Sequence, residues 1–299
     1  LSYIHNYTKF PISNNSDVIY YPLGEIAFSE MIKELEKAKS FIFMEYFIIN
    51  NGVMWQTILD ILKRKINEGV EVRIMYDDAG CIAKCVIFNK LGPISGVIMN
   101  NRDHRKILVI DGKTAFSGGI NIADEYININ SPYGHWKDNG IKVIGDAVWN
   151  YTVMFLTLWN AFKSEDEDYT KFKYDFKDKE NNGSFVVPYG DTPLDEERTG
   201  EDIYLNIINQ AKNYVYIFTP YLIIDTDMIN SLILAAKRGV DVRIVIPGIP
   251  DKKIVYTLSE SYLEMLIKGG VKIYKYTKGF VHGKVFISDD KIATVGTIN

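Results

Sequence analysis

Between Glu25 and Lys39, apolar residues recur at Phe28, Met31, Ile32 and Leu35, the spacing of one face of an α-helix. The run from Phe41 to Ile49 is apolar apart from Glu45 and predicts a buried strand. A second helix is predicted from about Val53 to Asn67, with Gly69 ending it and VEVRIMYDD opening the next strand. The same order then returns. Asp202 to Lys212 reads as helix, Tyr214 to Thr219 as strand, Met228 to Arg238 as helix and Val240 to Ile246 as strand. Such alternation implies a sheet covered by helices. GVEVRI at Gly69 matches GVDVRI at Gly239, an offset of 239 − 69 = 170 residues. The expected architecture is therefore α/β with two similar halves. Each is a mixed sheet flanked by helices, and a pseudo-twofold axis relates them around one shared site.

The boundaries expected from this pattern are an N-terminal half over 1–163, a linker over 164–200 and a C-terminal half over 201–299. Ser164 to Gly200 is charged and carries Asn181-Asn182-Gly183, Pro188 and Pro193, the punctuation of a connecting segment. Leu1 to Ser16 shows no period and is expected to be irregular. Trp149 to Phe162 has an apolar stripe at helical spacing, expected to pack in the core. Cys81 to Asn100 is glycine-punctuated and reads equally as a wall of the cleft or as a surface loop.

Composition narrows the class. The chain has 299 residues, 47% apolar and 24% charged, as expected of a globular protein with a substantial core. A net charge of −4 argues against nucleic acid as partner, because phosphate backbones demand a concentrated basic surface. Two cysteines, Cys81 and Cys85, make no disulfide framework and point to a reducing compartment. No apolar run reaches the roughly twenty residues of a membrane span. The sequence begins with Leu and stops inside a motif, so it is expected to be a fragment.

That motif occurs twice. NRDHRKILVIDGKTAFSGGIN spans Asn101 to Asn121, and FVHGKVFISDDKIATVGTIN spans Phe280 to Asn299. In register, the two copies share His104 and His282, Lys106 and Lys284, Asp111 and Asp289, Gly118 and Gly296, and Asn121 and Asn299. The His offset is 282 − 104 = 178 residues. Ile107–Ile110 and Val285–Ile287 read as short buried strands ending in turns. Residues i and i+2 share a strand face, so each His and Lys would point into one cavity. Two imidazoles and two ammonium groups suit a phosphodiester. One His can attack phosphorus while the other protonates the leaving alkoxide. The lysines, with Asn121 and Asn299, would stabilise the charged transition state. Lysines beside both histidines argue against a metal, so neither metal nor cofactor is expected. Asp111 and Asp289 at the strand ends are expected to accept backbone or Lys hydrogen bonds.

The twin HxKxxxxD pattern, each followed by GG or GT and then Asn, resembles the phospholipase D superfamily. TPYLI at Thr219, GVDVRIVIPGIPD at Gly239 and GGVKIYKYTKGFVHGK at Gly269 resemble in particular the bacterial cardiolipin synthases, as do the first motif and the HWKD that follows it. The resemblance implies two phospholipase D-like halves and a phosphohistidine intermediate, with His104 as nucleophile and His282 as acid and base. It implies that cardiolipin and glycerol are made from two molecules of phosphatidylglycerol, or that another phospholipid reacts, at a membrane surface. It further implies Asp138 of HWKD as the carboxylate supporting the first motif His, and Tyr221, Glu45 and Tyr46 as residues facing substrate. An acidic residue roughly ten positions beyond Asn299 would support the second His. Two transmembrane helices would lie upstream, with the catalytic part cytoplasmic. Asn139 and Gly140 depart from the family's Thr-His after the aspartate. The alternatives are a phospholipid hydrolase using water as acceptor, a nuclease, or a non-catalytic lipid-binding relative. With the second motif cut short, weakened or absent activity is expected. Oligomeric state is not specified by any of these features.

Overall fold

The computed structural model describes residues 1–8, 10–77, 86–88, 103–163, 167–176, 183–191 and 197–298. The first half runs β1 (Ser16–Tyr21), α1 (Gly24–Lys37), β2 (Phe41–Tyr46), α2 (Val53–Asn67), β3 (Glu71–Asp77), β4 (Val86–Phe88), β5 (Ile107–Ile110), β6 (Thr114–Gly118), β7 (His135–Lys137), β8 (Gly140–Gly145) and α3 (Val148–Lys163). The second runs α4 (Thr199–Gln210), β9 (Tyr214–Phe218), α5 (Thr226–Lys237), β10 (Asp241–Pro247), α6 (Lys253–Lys268), β11 (Lys272–Tyr276), β12 (Gly279–Val281), β13 (Lys284–Ser288) and β14 (Ile292–Gly296).

The strand orders are β1-β8-β6-β5-β2-β3-β4 and β11-β10-β9-β13-β14, and they carry the same plan. β2 lies parallel to β3 and antiparallel to β5, which pairs antiparallel with β6. β9 likewise lies parallel to β10 and antiparallel to β13, which pairs antiparallel with β14. The expected two-half α/β architecture is thus present. A third sheet joins the halves. β7 pairs in parallel with β12, with Gly279 opposite His135, Phe280 opposite Trp136 and Val281 opposite Lys137.

Alternation along β2 explains its continuous apolar run. Ile42 and Met44 belong to the core packed by α1 and α2, while Phe41 and Phe43 belong to the core packed by α3. Phe43 stacks on Phe155 of α3 with ring centroids 4.7 Å apart. A strand covered on both faces has no polar side to betray its period. In the second half, Val215 and Ile217 pack with α4 and α5, and Phe286 stacks on Tyr204 at 4.0 Å. The opposite face is more open, with Tyr214 and Tyr216 half-buried and Ile287 exposed.

The connecting region is less separate than its composition suggests. Glu167 clamps Arg73 with two contacts of 2.7 and 2.8 Å, and Phe172 packs edge-on against Phe41 and Phe43. This part of the expected linker therefore belongs to the first half's core, and α4 starts at Thr199, inside the expected linker. β1 also begins at Ser16, within the stretch read as irregular. The Cys81–Asn100 stretch and its two cysteines lie outside the described residues except for β4.

Candidate active site

Each motif Lys sits at the mouth of a central strand, and its stem is buried. Lys284 Nζ donates to its own motif His carbonyl, His282 O, at 2.7 Å, and Lys106 makes the same contact with His104 O. The two copies thus repeat one local geometry. Burial pushes Lys106 down to about 8 and Lys284 down to about 7. Burial, then the lysine charges, pulls both His104 and His282 down to about 4, so both rings are neutral at pH 7 in the empty cleft. Lys284 acts on His104, and Lys106 acts on His282. The twin motifs therefore share one electrostatic site at the seam.

Asp138 overturns one expectation. It supports the second motif His, not the first: His282 Nδ1 lies 2.8 Å from Asp138 Oδ2. The cause is the β7–β12 pair, which sets Asp138 and His282 in adjacent rungs just past its end. There the His282 N–H donates to Lys137 O at 2.8 Å. His282 thus finds its carboxylate within the described residues. Asp138 is fully buried and also accepts from the Asn139 N–H at 2.8 Å. Burial works against its charge, yet His282, Lys284 and that N–H together hold it below the usual carboxylate range. With Nδ1 held, Nε2 is the free proton carrier of His282, 3.1 Å from Lys284 Nζ. Tyr126 and Trp136 flank the ring at 5.3 and 5.5 Å.

Two glycines permit this approach. A side chain at Gly119 would collide with the Asp138 carboxylate, and one at Gly283 would collide with Asn139 Oδ1. Gly283 stands between His282 and Lys284, where the first copy has Arg105. Arg105 turns instead to Glu45 at 2.8 Å and to Asp103 at 3.1 Å. Burial, reinforced by Asp103, raises Glu45 well above the usual carboxyl range. His104 is the more open of the two motif histidines and stacks on Phe47 at 4.3 Å.

The remaining expected residues divide. Asp111 accepts from the N–H groups of Lys39, Ser40 and Phe41 at 2.9, 2.7 and 3.0 Å. Asp289 accepts from those of Lys212, Asn213 and Tyr214 at 2.8, 2.9 and 2.8 Å. Both aspartates adopt positive φ, 53° and 56°, and tie the motif turn to the start of the neighbouring strand. Asn121 does not offer its amide to substrate. It accepts from the Ile48 N–H at 3.1 Å and donates to Tyr126 Oη at 2.8 Å. Glu45 and Tyr46 are likewise buried, Glu45 against Arg105 and Tyr46 in the α1–α2 core. Tyr221 is half-buried, donates to Asp251 at 2.5 Å and has Lys252 Nζ 5.6 Å from its ring centre. Asn299 lies outside the described residues. Sequence reasoning missed Phe47, Arg105, Asp103 and Lys252. The contrast between HRK and HGK in otherwise matching copies was the available signal for Arg105.

This arrangement, with twin His-x-Lys strands facing across the seam of a duplicated α/β fold, is that of the phospholipase D superfamily. The family model described as cardiolipin synthase, PLD-like domain, matches residues 31–143 and 204–299, and the chain belongs to that family. An uncharacterised protein of Streptococcus mutans is 48% identical over 99% of this chain and 68% of its own length. Cardiolipin synthases of Staphylococcus aureus and Clostridium perfringens are 35% and 37% identical, over 99% and 96% of this chain. The chain spans 63% and 64% of the length of these two relatives. Among solved structures, a phosphatidylserine synthase of Haemophilus influenzae superposes with a TM-score of 0.65 at 14% identity. That match covers 96% of this chain and 79% of the other, and shows a shared fold.

Proposed function

We propose that this chain carries the catalytic centre of a phosphatidyltransferase that makes cardiolipin and glycerol from two molecules of phosphatidylglycerol. The observation that carries the reading is the repeated buried pair: Lys106 and Lys284 each fold back on their own motif histidine's carbonyl, and His282 is held by Asp138. Family membership and relatives named cardiolipin synthase support the lipid substrate.

A phosphodiester entering between Lys106 and Lys284 offsets the positive field that adds to burial in keeping both rings neutral. His282 then takes up a proton, because Asp138 stabilises its imidazolium. His104 stays neutral and attacks phosphorus, forming an N–P bond as the P–O bond to glycerol breaks. His282 gives its proton to the departing glycerol oxygen. A hydroxyl of the second phosphatidylglycerol then loses its proton to His282, attacks phosphorus and displaces His104. The proton and the histidine are both restored. The lysines stabilise the phosphoryl oxygens throughout. The membrane is the partner this chemistry requires. No helix of the described residues is long and apolar enough to cross it.

The test is incubation of the protein extended to its relatives' full length with phosphatidylglycerol in mixed micelles, with lipid products read by mass spectrometry. Cardiolipin and glycerol are expected, and both should disappear in His104→Ala and His282→Ala. Phosphatidic acid alone would make water the acceptor, and no lipid product from the protein extended to its relatives' full length would overturn the reading.

A further inference from the structure

We infer that the outer stripe of α6 is a docking surface for an anionic phospholipid bilayer and sets the mouth of the cleft at headgroup level. The inference rests on the phospholipid reading of the site. α6 is amphipathic in an inverted sense, since its inward face buries little and its outward face carries apolar side chains. Only Ser259 and Leu266 of this helix are buried. Ile254 is 87% exposed, Leu258 44% and Met265 47%. Their positions, together with Ser261, step by four, three and four residues and so lie along one side of the helix. A solvent-facing row of Ile, Leu and Met gains free energy once an apolar phase covers it.

Charge identifies the occupant. Lys252 and Lys253 stand at the start of the stripe, and neither forms an ion pair among the described residues. Glu260 and Glu264 on the same helix are neutralised by Lys275 at 2.8 Å and Lys268 at 2.6 Å. Although the whole chain is at −4, this edge keeps a small positive excess even with Asp251 beside Lys252, and it is apolar as well. That combination fits an anionic bilayer, where lysines meet phosphate and aliphatic side chains enter the acyl boundary.

Continuity with the cleft gives the surface its purpose. Lys252 lies 5.6 Å from the Tyr221 ring centre, and its charge reaches both His104 and Lys284. The loop after β9 is pinned to α6 by the Leu222 N–H, which donates to Ser259 Oγ at 3.0 Å, and it presents Ile223 to solvent. A bilayer resting on Ile254 and Leu258 thus places its headgroups beside the motif lysines. A phosphatidyl group then reaches the histidines without leaving the lipid.

The test is flotation of the 299-residue chain with vesicles of equal phosphatidylglycerol and phosphatidylcholine, and with phosphatidylcholine alone. The chain should float with the anionic vesicles only. Ile254→Asp combined with Leu258→Asp should lower the bound fraction tenfold or more, and Lys253→Glu severalfold. Ile66→Asp, at an exposed apolar position on α2, should leave binding unchanged. Binding that ignores the α6 substitutions, or absence of binding by the parent chain, would overturn the inference. Conversion of a dimeric parent into a monomer by the same substitutions would also overturn it, by assigning the stripe to self-association. None of these readouts uses turnover. Loss of the catalytic reading would therefore show as stripe-dependent binding without lipid products.

Discussion

The two motif copies are alike at their ends and different in the middle. His104-Arg105-Lys106 and His282-Gly283-Lys284 share the lysine that folds back on its histidine carbonyl, and each leads to an aspartate clamped by three backbone N–H groups. The central residue separates their histidines. Arg105 is drawn into a cluster with Glu45 and Asp103, leaving His104 exposed against Phe47. Gly283 admits Asn139, so Asp138 reaches His282. Duplication has kept the cationic cradle and the turn geometry while letting Arg105 and Gly283 take different surroundings. Within the described residues, His282 is held by a carboxylate and His104 stacks on Phe47.

Rewriting the second copy as the first gives the largest expected effect. Gly283→Arg should drive Asn139 and Asp138 away and abolish measurable phosphodiester cleavage. Asp138→Asn keeps the shape but removes the charge that stabilises imidazolium, and should lower turnover by about 10²–10⁴-fold. Its pH–rate profile should change on the limb that reports His282, and an unchanged limb would separate Asp138 from proton transfer.

The outer faces of the two sheets extend the contrast. Arg73 and Arg243 occupy matching rungs, each over an aromatic ring at 5.2 and 4.8 Å and each paired with the acid two residues before it. The Arg73 side chain is 10% exposed and also clamps Glu167, whereas that of Arg243 is 44% exposed. Arg73→Ala should cost about 2 kcal/mol in denaturant unfolding, since it removes the cover over Phe43 and Phe172 and leaves Glu167 to Lys171 alone. Arg243→Ala should leave the midpoint almost unmoved. Equal losses would show that the cover over the first sheet contributes nothing to this pair.

A smaller effect lies in pH. His282 is held near 4 in the fold, below its ordinary 6.5, so the unfolded chain binds the proton first as pH falls. Its contribution is present above about pH 6.5 and is lost as pH falls toward 4. Between about pH 6.5 and 4.5 the parent should lose about 2 kcal/mol more stability than His282→Asn, read from urea midpoints. Identical slopes would place the acid sensitivity elsewhere.

Helices and strands with a strong period were readable before the structure, as was the repeat that relates the halves. α2 falls within its expected bounds, and α1, α4 and α5 differ from theirs by a few residues at the ends. Partners across the seam were not readable. β7 and β12 are three residues each, and Asp138 and His282 are 144 residues apart, so neither period nor spacing announces their meeting. Tyr46 was expected to face substrate from the resemblance alone, and burial of β2 on both faces hides the alternation that turns it toward α1 and α2. α6 was passed over for the opposite reason. Its apolar residues face outward as well as inward, which blurs a core-facing stripe.

The short β7–β12 pair also has a consequence in time. Synthesis proceeds from the N-terminus, so the first half, with His104 and Lys106, can fold while residue 282 has yet to be made. Asp138 then waits without its histidine, and the emerging enzyme holds a phosphate-attracting site with no acid to complete the reaction. Only when Phe280 and Val281 dock beside Trp136 and Lys137 does the proton carrier arrive. Three rungs of backbone thereby tie assembly of the histidine–aspartate pair to the arrival of the second half.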